Sequence, residues 1–110
     1  MLPETEASVL AIRQQIQSAK KQLDEAKKRF GNNRDKYLLE QIKYAYWWLD
    51  DVEKLHLAML LENRLPPRTL AQESSILVGA NAQLVTALAQ VKRIVEWSVT
   101  YGDKFQAVGV

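Results

Sequence analysis

With 110 residues, 15 Lys and Arg against 13 Asp and Glu, and no cysteine, the chain is long enough for one hydrophobic core and short for two. The missing thiols exclude a disulfide framework, a thiolate nucleophile and any cysteine-ligated metal, and a net charge of +2 is too small to argue for nucleic acid by itself. Met1-Leu2-Pro3-Glu4 has neither the basic nor the apolar region of a signal peptide, and Tyr44 to Leu61, read as the most apolar stretch, is broken by Asp50, Asp51, Glu53 and Lys54, so a cytoplasmic protein without a membrane span is expected.

From Val9 to Phe30 apolar residues recur at alternating steps of three and four: Val9, Ile12, Ile16, Ala19, Leu23, Ala26, Phe30. This is a coiled-coil-like seam, and it predicts a first helix over about residues 3–30 that buries one stripe and leaves the rest to water. Pro3 suits the first turn, with Glu4 and Glu6 favourably placed against the helix dipole. Gly31-Asn32-Asn33 then reads as a tight connection in which Gly31 caps one helix and an asparagine caps the next, giving an antiparallel hairpin.

The second helix is predicted over about residues 34–64, with the seam Leu38, Ile42, Ala45, Leu49, Val52, His56, Met59. Tyr44, Tyr46, Trp47, Trp48, Leu55 and Leu61 spread around the remaining circumference, so at least one ring points away from the hairpin, Trp47 being the candidate. An interface is therefore expected at Tyr44, Trp47, Trp48, Leu57 and Leu61, residue types that dominate protein–protein contacts. Leu65-Pro66-Pro67 stops the helix.

Thr69 to Gln72 matches a capping box, and a third helix follows to about residue 101 with Leu77, Ala80, Leu84, Leu88, Val91 and Val95 on one stripe. Gly79 and the neighbouring alanines make either a close-approach surface or a bend. Residues 102–110 are read as a tail, with a rival reading in which residues 95–101 and 104–110 pair as a hairpin about Gly102-Asp103. The expectation is an all-α, antiparallel three-helix domain, completed into a larger bundle by homodimerisation.

Two constellations carry chemistry. Glu53 and His56 form a Glu-x-x-His step on one helical face, and Glu53 to Glu62 resembles the corresponding helix of ferritin-like proteins, which implies a carboxylate-bridged metal site at a dimer interface. The first-helix residues facing Glu53 fall near Ala11 to Gln15 and offer no carboxylate, so His56 is expected in the seam instead. Arg13, Lys20, Lys21, Lys27 and Lys28 flank the first seam as a stripe suited to a phosphate backbone, although Asp24 and Glu25 precede Lys28 and Arg29 by four as ordinary helix pairs. The leading expectation is a non-enzymatic homo-oligomeric scaffold without a cofactor, with itself or another protein as partner. A nucleic-acid-associated protein is the alternative, and a metal carboxylate site the third.

Overall fold

The computed structural model describes residues 1–107, and every regular element among them is helical. α1 (Pro3–Phe30) is followed by α2 (Lys36–Asp51), which runs on through a π-helical segment (Val52–Leu57) into the short α3 (Ala58–Leu61). α4 (Leu70–Thr100) and a 3-10 turn (Gly102–Lys104) complete the described chain. There are thus three rods, in a bundle with principal extents of 54 × 23 × 17 Å. The alternative hairpin is absent: residues 95–100 finish α4, and of the other supposed strand residues 108–110 lie outside the described residues.

Every residue of the predicted α1 seam is buried, together with Thr5 one turn earlier. The bundle winds up, down and up. Lys20 meets Asp50, and the Tyr46 hydroxyl donates to Asp24, so α2 is antiparallel to α1. At one end the Leu2 N–H donates to Glu73 Oε1 at 2.9 Å, and near the other Arg29 Nη1 donates to Ser98 Oγ at 3.3 Å, so α1 and α4 run parallel. α4 packs extensively against both α1 and the second rod. Fully buried alanines on both helices, Ala19 and Ala26 on α1 and Ala80 and Ala87 on α4, let the backbones approach closely. The buried stripe of α4 is Ala80, Leu84, Ala87, Val91, Ile94 and Ser98, rotated from the expected one, which leaves Leu77, Leu88 and Val95 half-buried at its margin.

The connections follow from their caps. Gly31 takes φ +58°, where a side chain would be strained, and its N–H reaches back to the carbonyls of Lys27 and Lys28. The cap of α2 is Asp35, not an asparagine: its Oδ1 accepts from the Leu38 N–H at 2.9 Å. Asn33 instead ties the turn to the far end of the chain, donating from Nδ2 to the carbonyls of Asp103 and Phe105 at 3.0 and 2.8 Å. Thr69 and Gln72 close the capping box of α4, whose axis passes Gly79 as continuous helix.

Asp35 gives a pH signature. The Leu38 and Ala107 N–H groups donate to its carboxylate and hold its pKa below the ordinary value of 3.8. A depressed carboxyl stabilises the fold above the unfolded-state pKa and loses that contribution as pH falls through the folded-state value. The advantage of the wild type over Asp35→Asn in thermal melts should therefore be present at neutral pH, begin to fall below about pH 4 and be gone once pH has passed below the folded-state value. A difference independent of pH would show that the charge plays no part in this cap.

α4 also corrects the expectation that no segment approaches a membrane span. By length and composition alone it is apolar enough to cross one, with an 18-residue window of mean hydropathy 1.2, of which 28% is buried. No charged residue occurs from Ser74 to Val91.

Candidate protein–protein interface

The π-helical segment decides which side chains line the outer surface. Buried residues on the second rod run Leu38, Ile42, Ala45, Leu49, Val52 and then Leu57 and Leu60, not the expected His56 and Met59. Beyond Val52 the predicted seam is off by one residue, because an i→i+5 turn accommodates one more residue than an α-turn; the Ala58 N–H accordingly bonds to the Glu53 carbonyl. The extra residue is favoured because it turns two leucines into the core in place of an imidazole and a flexible thioether.

Gln83 on α4 secures the segment from both sides. Its Nε2 donates to the Trp48 carbonyl at 3.3 Å, which already accepts from the Val52 N–H, and its Oε1 lies 2.9 Å from His56 Nε2. With the Gln83 amide nitrogen thus committed as donor, its oxygen is the acceptor and His56 Nε2 the donor. Gly79 leaves room for the ring: a Cβ there would lie 3.4 Å from His56 Nδ1.

The same turn separates Glu53 from His56. Glu53 faces α1, its Oε1 3.3 Å from Arg13 Nε, whereas His56 faces α4. The wider turn carries the two side chains to opposite flanks of the rod, where an α-turn would have set them side by side. Among the described residues no three histidine or carboxylate groups converge as a metal would require.

The cations of α1 likewise do not form one face. Arg13, Lys20 and Lys27 occupy the column that faces α2, where Glu53, Asp50 (2.5 Å from Lys20 Nζ) and the Tyr46 ring (5.5 Å from Lys27 Nζ) engage them. Lys21 and Lys28 lie exposed on the next column, and Arg29 turns to α4. Tyr46, half-buried and bonded to Asp24, has its phenol pKa pushed well above the ordinary value of 10.0, first by desolvation and then by that bond. Arg13, Lys20 and Lys27 thus knit α1 to α2, while Lys21 and Lys28 stay open to solvent.

The expected interface residues divide. Leu57 is fully buried in the monomer core and is withdrawn from any interface, and Trp48 is half-buried against the core beside α4. Tyr44, Trp47 and Leu61 are 39%, 55% and 53% exposed, and the Tyr44 and Trp47 rings lie against each other with centroids 6.3 Å apart. The sequence reading missed Leu55 and Met59 as their companions. Counting the extra residue of the π-turn, Leu55 falls on the column of Trp47 and Met59 on that of Tyr44; both are about half exposed, at 58% and 49%. Leu55, Ala58, Met59 and Leu61, rimmed by Lys54 and Glu62, line a shallow groove of about 610 Å³. The resulting apolar strip runs along the outside of α2 and α3 for roughly 25 Å at 1.5 Å per residue.

Comparison with known protein families, with curated proteins and with solved structures finds no match for the chain, so the functional reading rests on this surface alone.

Proposed function

We propose that the protein is a non-enzymatic, homo-oligomeric helical adaptor that works by helix-to-helix docking, with the strip on α2 and α3 as the face offered to an amphipathic partner helix. The observation that carries this reading is the strip itself: Tyr44, Trp47, Leu55 and Met59 are large apolar side chains left to solvent on one outer side of the rod, and Leu61 joins Leu55 and Met59 in lining the groove at its end. Large apolar side chains exposed together, here on either side of Asp51, mark an interaction surface, and aromatic anchors are the residues that dominate such contacts. The π-turn favours the same reading, since it brings Leu55 and Met59 into line with the aromatic pair.

Size-exclusion chromatography with light scattering at two salt concentrations tests the oligomeric part. The expected result is a dimer or larger at both, because apolar contacts are little screened by salt, whereas a clean monomer at high micromolar concentration would remove it. Nucleic acid carried through at low salt and shed at high salt would favour the cationic residues of α1 instead.

A further inference from the structure

α4 carries a second seam that nothing in the three-helix bundle covers. Ala71, Ser75, Val78, Ala82, Val85 and Ala89 alternate at steps of four and three, and all six are exposed; Val78 and Val85 reach 68% and 67%. Each lies about two residues from a core position such as Ala80, Leu84, Ala87 or Val91, which on a helix of 3.6 residues per turn places this seam opposite the buried one. A helix with apolar stripes on two opposite sides is built to be central in a larger assembly. The seam continues through Lys92 and Glu96 to Val99, which is 68% exposed.

Taking this with the homo-oligomeric reading above, on which it rests, we infer that two copies of the chain associate through α4 in antiparallel orientation. The order of side chains along the seam selects both the occupant and its direction. Pairing positions whose numbers sum to 167 sets Val78 opposite Ala89 of the second copy and Ala82 opposite Val85, so each larger side chain meets a small one and the helices can close together. In that register Lys92 lies opposite Ser75, and Glu96 opposite Ala71, with no like charges in contact. A parallel pair would instead stack valine on valine, alanine on alanine, Lys92 on Lys92 and Glu96 on Glu96, which is unfavourable. A second copy of this face also meets the demand for an occupant free of charge over the contacting turns. The α2 and α3 strips stay open on both copies, so the dimer presents two equivalent docking faces.

The test uses the full chain, whose lack of cysteine makes any introduced thiol unique. In light scattering the wild type should show twice the chain mass, and Val85→Glu should halve it with unchanged helicity, since the position is exposed in the monomer. Trp47→Glu should leave the mass at the dimer value. A mixture of Ala82→Cys and Val85→Cys proteins should form the mixed disulfide in preference to either homodimer, because antiparallel pairing offsets Ala82 from its own counterpart by about 4.5 Å along the axis. Preferential self-linking of Ala82→Cys would overturn the antiparallel register. Dissociation by Trp47→Glu but not Val85→Glu would overturn the α4 contact while leaving homo-oligomerisation intact, and a monomeric wild type would remove both. A monomer that co-sediments with phosphatidylcholine vesicles would assign α4 to a lipid surface instead.

Discussion

Leu57→Ala should destabilise the protein by about 2–5 kcal/mol, the range for deleting a fully enclosed leucine side chain, while Met59→Ala two residues later should cost less than about 1 kcal/mol. The contrast follows from the π-turn: Leu57 has no exposed surface and Met59 has 49%. In a continuous α-helix extending the seam beyond Leu49 and Val52, the order would reverse, because His56 and Met59 would face the core and Leu57 would face away. Urea denaturation of the two variants separates the geometries, and equal losses would contradict the register described for this rod.

Phe105→Ala should lower stability by about 3 kcal/mol, a fall in Tm on the order of 10 °C for a domain of this size. Phe105 is only 8% exposed although it lies beyond α4. Its ring sits 4.9 Å from that of Trp97, 5.8 Å from Tyr101 and 6.1 Å from Phe30, the last two edge-on, so one side chain closes the end of the bundle where α1 and α4 finish. The same few residues hold the turn, because Asn33 bonds to the carbonyls of Asp103 and Phe105 and Asp35 accepts from the Ala107 N–H. Truncation after Tyr101 should therefore match or exceed the loss in Phe105→Ala. A truncated chain as stable as the wild type would show that the tail is an appendage and not part of the core.

The local and periodic features were legible in the residues. The α1 seam from Val9 to Phe30 is buried at every position, the Gly31 turn and the Thr69–Gln72 capping box form where their residue types stand, and Leu65-Pro66-Pro67 lies in the break between the second and third rods. These depend on one helix face or on backbone preferences within a few residues, so no distant partner is needed to read them. The outward direction of Trp47 belongs to the same class, because aromatics at four of the five positions from Tyr44 to Trp48 spread around the whole circumference. The second seam of α4 is visible in its steps of four and three as well.

Beyond Val52, the sequence alone admits two registers, spaced 49-52-56-59 or 49-52-57-60, and local preference favours the first because it is regular. Tertiary packing chose the second: burying Leu57 and Leu60 outweighs the poorer geometry of a wide turn, and Gln83 from α4 binds the Trp48 carbonyl and His56 only where the chains already lie together. That choice separated Glu53 from His56, withdrew Leu57 from the surface and aligned Leu55 and Met59 with the aromatic pair. Pairing across helices likewise engaged Arg13, Lys20 and Lys27 with α2, and Phe105 entered the core only because α1 and α4 end side by side. Periodicity sets which face of a helix is apolar, but only contact between helices decides how that face turns along its length and which charges it uses up.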